Sequence, residues 1–263
     1  MKKQAHLCQN YLKNIIIPIF MLLCLAGIVS LQMSAIKDRE KPIDKTAYLK
    51  EAKQKALRLD LLKKLPSFGF SNLITDWSFM DFVQYYGDAA ARQQTGNSLS
   101  PDYFEVLVNK DPRFVTAYFY LSPATSLFAG QPEKSVSFTA KGLKSITYTM
   151  PLSYQLWIYK GTDELLFLGD NQAAQNSYNM AAKWAKLENT ETSLISGARA
   201  TETAQFIATN PDSKRARIGA WMMILANARD DRARLLALRR IQELGGRVLL
   251  TSDKVTVKIP EKD

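Results

Sequence analysis

Histidine and cysteine are almost absent from this sequence of 263 residues. The single histidine is His6, and both cysteines, Cys8 and Cys24, lie within the first 24 residues. The rest of the chain therefore contains no thiol for a disulfide, a zinc site or a nucleophile. Without histidine it also lacks the usual general base, the serine–histidine triad and most transition-metal sites. We therefore expect no catalytic residue, cofactor or metal, and predict that the protein is not an enzyme.

Carboxylates that lie close together in the sequence do not change this expectation. Asp163 and Glu164 are adjacent on a predicted helix, where neighbouring side chains diverge by about 100° and cannot converge on one substrate. We interpret them as solvated charges, with Asp170 in the following turn. Asp76 and Asp81 lie in an aromatic helix, and we expect a structural ion pair or a helix cap rather than a site, because a buried charge needs a partner.

The composition is that of a folded chain with a basic surface. Hydrophobic residues make up 46% and charged residues 23%, with a net charge of +10. A positive surplus permits contact with anionic lipid, nucleic acid or acidic proteins and selects none of them. The C-terminal end is rich in arginine, and Trp221 is the one aromatic residue that lies among its basic residues. A surface that binds nucleic acid would have more aromatic side chains for base stacking. We therefore interpret this end as a solvated, lipid-facing or partner-facing surface and expect no nucleic acid.

A long apolar run near the N-terminus predicts a membrane anchor. Residues 15–31 are all uncharged, and such a run is close to the minimum of roughly 17–25 residues that crosses the hydrocarbon. The signal peptide alternative would have a shorter apolar region and a small-residue cleavage site. We favour an uncleaved transmembrane helix over 14–36 in a bacterial inner or thylakoid membrane. Flanking lysines and arginines favour a cytoplasmic C-terminal domain, whereas the short basic head favours export, and we predict the periplasmic or lumenal side.

The segment after the anchor predicts a basic amphipathic helix. Residues 45–64 hold seven basic and two acidic side chains around an apolar stripe. One interpretation is a helix on anionic lipid, with Lys50, Lys53 and Arg58 as lipid contacts. The other is the first helix of a bundle with a solvated charged face.

The remainder reads as helices of roughly 12–18 residues separated by short turns. Large apolar residues throughout 71–87 predict a helix buried on more than one side, and 88–100 is expected to be the longest loop. The fold class is therefore all-α, with an extended C-terminal tail. The predicted regions are a basic tail 1–13, the anchor 14–36, a spacer and basic helix 37–66, a helical domain 67–245 and a tail 246–263.

A repeat appears when Gly130 is aligned with Gly169, a shift of 39 residues. In the second copy, Ala174, Tyr178 and Ala181 follow the glycine at helical spacing. Self-similarity at this period is typical of stacked helical hairpins. The small residues are expected to admit neighbouring helices closely, while the aromatic ring fills the groove between them.

At these residues the chain resembles the tetratricopeptide repeat (TPR) family, although Trp157 and Gly161 depart from the first-helix signature and the period is longer. The pattern NLITDWSFMDFVQYYGD…FEVLVNKDPRFVTAYFY resembles membrane-anchored TPR-like bacterial proteins of a form associated with cyanobacteria. The resemblance implies an α-solenoid that binds other membrane proteins as a scaffold, subunit or assembly factor, with a photosynthetic thylakoid complex such as a photosystem as a client. On its concave face we predict contacts through Tyr118, Tyr154 and Lys160. The alternative is a peripheral lipid- or ligand-binding module that uses the basic helix and the Arg-rich end.

Overall fold

The computed structural model describes residues 17–33, 45–228, 231–250 and 255–260, and helices dominate these ranges. Residues 17–33 form α1. The later helices are α2 (Lys45–Lys64), α3 (Ser71–Gly87), α4 (Ala89–Thr95), α5 (Ser100–Lys110), α6 (Val115–Leu121), α7 (Pro132–Gly142), α8 (Tyr154–Asp163), α9 (Asn171–Glu188), α10 (Glu191–Thr209), α11 (Lys214–Asn227) and α12 (Asp231–Glu243). Two π-helical segments, π1 (Ser122–Phe128) and π2 (Glu164–Leu168), continue α6 and α8. The all-α fold class is confirmed.

The predicted anchor 14–36 falls only partly within the described residues. Residues 17–33 are helical, whereas 14–16 and 34–36 lie outside the described ranges, as does the basic tail 1–13. Across the parts of the chain that the structure describes, no helix is both long and apolar enough to cross a membrane. The transmembrane helix is therefore not confirmed. The chain divides into two units, residues 1–48 and 49–263.

Two helical hairpins in the second unit share one turn geometry, 39 residues apart. The first joins α6 and π1 to α7, and the second joins α8 and π2 to α9. Both turns contain a glycine in the left-handed conformation, Gly130 with φ of 67° and Gly169 with φ of 68°. Each turn is closed by the same backbone bond, from Gln131 N–H to Thr125 O and from Asp170 N–H to Glu164 O, both at 2.9 Å. The repeat in the sequence therefore corresponds to a repeated helix–turn–helix geometry.

Helix α9 packs against both α8 and α10. Its buried side chains are Ala174, Ser177, Tyr178, Ala181 and Ala185. A Cβ atom at Gly161 of α8 would lie 3.2 Å from the Tyr178 ring, and one at Gly197 of α10 would lie 2.9 Å from the Ala185 Cβ. The absence of a side chain at these glycines lets both helices approach α9 closely. The small and aromatic residues of α9 thus occupy the positions that the repeat pattern predicted.

Helix α3 differs from its prediction because only one of its sides is buried. Phe82 is fully buried and contacts the rings of Tyr103 and Phe104 on α5. On the opposite side, Trp77 and Met80 are exposed. The many apolar residues of α3 therefore cover two faces, of which the protein itself covers one.

The predicted loop at 88–100 contains a helix. Helix α4 begins after Asp88, whose carboxylate accepts a hydrogen bond from the Ala91 N–H at 2.9 Å. This side-chain cap satisfies a backbone donor that a helix start otherwise leaves unpaired. Polar composition indicated a loop, but Ala, Arg and Gln are all good helix formers.

The C-terminal tail forms a two-stranded antiparallel hairpin of β1 (Arg247–Leu250) and β2 (Val255–Lys258). Val248 and Val257 lie opposite each other and pack against a cluster that includes Trp221 and Ile241. Burial of these β-branched side chains fixes the register, because a shift by one residue would turn them to the other face.

Candidate functional site

An aromatic cleft of about 220 Å³ opens on the second unit. It is lined by residues of α3, α6, π1, α8, π2, α11 and the start of α12, none of which carries a charge. The aromatic members are Tyr86, Phe119, Tyr120, Phe128, Tyr159 and Phe167. Two ring pairs support the walls: Tyr86 with Phe128 at 6.0 Å and Phe119 with Tyr159 at 6.2 Å between ring centroids. The packed aromatic rings give the cleft an apolar wall that includes the rings of three tyrosines.

The cleft lies beside, and not at, the residues that the sequence indicated for partner binding. Tyr118 is 2% exposed and Tyr154 is 0% exposed. The prediction placed both on an open concave face, and the structure places both in the core. Successive residues of a helix are rotated by about 100°, so the neighbours Phe119 and Tyr120 face the cleft when Tyr118 faces inward.

Tyr118 has a packing role. Its hydroxyl donates a hydrogen bond to the Pro112 carbonyl at 2.9 Å. Its ring passes over Gly142 of α7, where a Cβ atom would lie 2.1 Å from the hydroxyl oxygen. Burial raises the pKa of this phenol, with a smaller contribution from the charge of Asp111. The side chain therefore joins α6 to the loop before it and to α7.

A buried carboxyl group lies behind the cleft. Asp163, at the end of α8, is 1% exposed and accepts hydrogen bonds from the hydroxyls of Ser122 and Ser135, both at 2.6 Å. Ser122 also lines the cleft. Asp163 belongs to the second hairpin and both serines to the first, so this carboxyl group connects the two repeats. Its interpretation as a solvated charge is wrong.

Glu164 is also buried and faces a different set of groups. It is 3% exposed, forms an ion pair with Lys160 one turn earlier, and accepts a hydrogen bond from the Ser177 hydroxyl of α9 at 2.6 Å. Lys160 also donates to Ser177 at 3.1 Å. The ammonium group of Lys160 is thus used inside the fold, which corrects its predicted role as a partner contact.

The two acids differ in what their surroundings provide. Asp163 has neutral hydroxyl donors, and burial raises the pKa of its carboxyl to about 6, although the hydrogen bonds from Ser122 and Ser135 oppose the rise. Glu164 has a cation beside it. As the sequence geometry requires, the adjacent acids point to separate partners, so they do not form an acid–base pair over one substrate.

Tyr178, the aromatic residue of the repeat, belongs to the same buried layer. Its hydroxyl lies 3.0 Å from that of Thr162, and burial raises the pKa of this phenol. The ring packs on Gly161, as described above. Sequence reasoning identified its packing role and did not identify the polar contacts.

The residues predicted to contact lipid have two different environments. Lys50 and Lys53 are exposed on α2. Arg58 instead forms an ion pair with Asp81 of α3 and lies over the Trp77 ring, 4.7 Å from its centroid. The Arg58–Asp81 contact is the structural ion pair that the sequence predicted for Asp81. Asp81 also accepts a hydrogen bond from the Tyr103 hydroxyl at 2.6 Å. Asp76 is exposed.

Within the described ranges, no group of three or more histidine, cysteine, aspartate or glutamate side chains is placed to hold a metal ion. No family model matches the chain. No curated protein and no solved structure is significantly similar to it.

Proposed function

We propose that the protein is a non-catalytic, membrane-anchored scaffold that binds another protein and thereby holds or helps to assemble a membrane protein complex. The observation that carries this proposal is the uncharged aromatic cleft between the first hairpin, the second hairpin and the α11–α12 region. Tyrosine and phenylalanine provide large contact areas with few rotatable bonds, and aromatic residues are enriched where proteins bind one another.

The size of the cleft favours apolar side chains of a protein over a cofactor. Small-molecule sites commonly have volumes of roughly 300–1,000 Å³, and this cleft has about 220 Å³. Helical partners insert a few apolar residues at i, i+3, i+4 and i+7 into such a groove. The partner that fits is therefore an apolar helix or peptide of another subunit.

The repeated hairpin geometry supports an α-solenoid of TPR-like repeats as the framework of the scaffold. The shared glycine turn and the close packing of α8, α9 and α10 are consistent with stacked hairpins, in which each repeat buries the face of its neighbour. The apolar segment 14–36 would confine the protein to a bacterial inner or thylakoid membrane, with the second unit on the periplasmic or lumenal side. A photosynthetic complex such as a photosystem is the client that we propose.

The test is a native purification of the tagged full-length protein in mild detergent, followed by crosslinking and mass spectrometry. We expect a stoichiometric membrane protein, crosslinked to residues around the cleft. The cleft variant is Thr116→Arg, because Thr116 is exposed and lines the cleft. The arginine would place a charge where apolar side chains bind, and we expect recovery of the partner to fall roughly tenfold or more.

The matched control is Thr192→Arg, which makes the same change at an exposed position on α10, away from the cleft. Recovery of the partner should be unchanged with this variant. If the wild-type protein purifies without a partner, or if both arginine variants retain the partner equally, binding through the cleft is refuted.

A further inference from the structure

An apolar surface separate from the cleft covers the hairpin formed by α2 and α3. Its members are Leu57, Leu61, Leu65, Phe68, Phe70, Leu73, Trp77 and Met80, each of which is 48% exposed or more. Globular proteins commonly leave single apolar residues at the surface, but a contiguous group of large ones marks an interaction site.

Contacts between the two helices show that these residues form one surface. Arg58 of α2 contacts both Trp77 and Asp81 of α3, and Lys55 lies over the Tyr85 ring at 5.9 Å. From Arg58 back to Lys55 on α2, the contacted residue moves forward from Asp81 to Tyr85 on α3. The two helices therefore run antiparallel. This register brings Leu61 level with Trp77 and Leu65 level with Leu73.

The turn between the helices forms an apolar tip. Phe68 is 82% exposed and has a positive φ of 46°, and Phe70 is 63% exposed. A positive φ is unfavourable for a residue with a side chain. The turn nevertheless carries phenylalanine at this position, with the ring in solvent.

Positive charge accompanies the apolar stripe of α2. At 3.6 residues per turn, Lys50, Lys53 and Lys64 lie within about 40° of Leu57 around the helix axis, and all three lysines are exposed. Asp60, at the edge of this face, has Lys63 3.5 Å away. Lys63 also forms ion pairs with Asp102 and Glu105 of α5. The exposed face of α2 therefore combines leucine with three exposed lysines and has one carboxylate at its edge.

We propose that this surface lies in the headgroup region of a bilayer containing anionic phospholipid, with Phe68 and Phe70 inserted and the lysines at the phosphates. Lysine side chains bury their methylene groups while the ammonium reaches the polar layer, and a cationic face with adjacent apolar side chains is typical of helices that lie in the interface. A symmetric contact between two copies is disfavoured because it would bring the lysine faces together. The surface does not share residues with the cleft, so this inference does not depend on partner binding there.

The test uses the full-length protein with Cys8 and Cys24 replaced by serine. Single cysteines are introduced as Phe68→Cys and Leu61→Cys and labelled with the polarity-sensitive fluorophore NBD. The labelled proteins are reconstituted in phosphatidylcholine–phosphatidylglycerol vesicles, with and without lipid that carries a nitroxide near the headgroup. The matched control is Leu235→Cys on α12, which is 63% exposed.

We expect the nitroxide lipid to cause a loss of emission at positions 61 and 68, and no loss at 235. The loss should be smaller in vesicles of phosphatidylcholine alone, and an equal loss would overturn the assignment of anionic lipid. No loss at 61 and 68 would overturn the bilayer contact. Blue-shifted emission without a loss would also overturn it, because a protein surface, such as a second copy, would then cover the fluorophore.

Discussion

At the scale of single residues, Asp163 has the clearest measurable consequence, because a buried carboxyl group with hydroxyl donors titrates abnormally. Its proton is held more strongly in the folded protein, where the pKa is about 6, than in the unfolded chain, where the pKa is 3.8. Below pH 3.8 both states are protonated and the contribution of this group to stability is fully present. Between pH 3.8 and 6 the folded state binds more proton, so stability falls as the pH rises, by on the order of 3 kcal/mol.

The variant Asp163→Asn should remove this titration. We expect the free energy of unfolding of the wild type, relative to the variant, to decrease between pH 3.5 and 6.5 by on the order of 3 kcal/mol. Urea titrations of both proteins across this range provide the measurement, and taking the difference cancels the other carboxyl groups. A difference that stays constant with pH would show that the pKa of Asp163 is the same in the folded protein as in the unfolded chain.

At the scale of elements, close helix contacts depend on glycine. Gly142 of α7 lies beneath the Tyr118 ring, and the nearest atoms to an added Cβ belong to a buried ring that cannot move away freely. Gly87, the last residue of α3, has nothing within 4 Å of such a Cβ. A side chain is therefore sterically excluded at Gly142 and has free space at Gly87.

We expect Gly142→Ala to lower the free energy of unfolding by about 1–3 kcal/mol, because it overpacks a filled contact. Gly87→Ala serves as the control and should leave the free energy unchanged or raise it by up to about 1 kcal/mol, since alanine reduces the entropy of the unfolded chain. Denaturant unfolding followed by circular dichroism distinguishes the two. Equal effects of the two variants would mean that the contact between α6 and α7 is loose.

Element positions were partly predictable from the sequence. The hairpin turns follow from Gly130 and Gly169, because only a residue without a side chain readily takes the left-handed conformation there. The sequence did not predict α4, because its start is marked only by Asp88, whose side chain caps the helix through one hydrogen bond within an otherwise polar segment. The π-helical segments were also missed, since no local pattern distinguishes a widened turn from an ordinary one.

At the scale of the whole molecule, α2 is held against the helices that follow it by a small number of polar contacts and by the buried side chain of Leu59. Asp81 is central among them, because it accepts from both Arg58 and Tyr103. Segments held by few buried contacts open at a lower free energy than the core does. Loss of Asp81 would leave a guanidinium and a phenol without their acceptor.

We expect Asp81→Ala to accelerate trypsin cleavage within residues 49–64 under native conditions, by roughly tenfold or more, as removal of one partner of a charged hydrogen bond costs about 1.5–3 kcal/mol. Asp76→Ala is the control, because Asp76 is exposed on the same helix, and it should not change the rate. Mass spectrometry of early fragments identifies the cut sites. Equal rates for wild type and Asp81→Ala would show that α2 is held by its other contacts, which are Leu59 and the ion pairs of Lys63 with Asp102 and Glu105.

The candidate site shows why sequence reasoning reached only its vicinity. The run Tyr118, Phe119 and Tyr120 indicated that some rings must leave the core, since three consecutive residues cannot share one helix face. Which ring leaves depends on the rotation of α6 against α7, which the contact between Tyr118 and Gly142 sets. The sequence prediction named Tyr118, which is buried, whereas its neighbours Phe119 and Tyr120 line the cleft.

The sequence by itself determined the all-α class, the 39-residue repeat, the packing positions on α9 and the divergence of Asp163 from Glu164. These depend on periodicity, on glycine conformation and on the fixed angle between successive helical residues, all of which are local. Only the tertiary structure decided that both acids are buried, that Tyr154 and Lys160 face inward, and that one side of α3 remains uncovered. Burial is a property of what packs against a residue, and those neighbours come from distant parts of the chain.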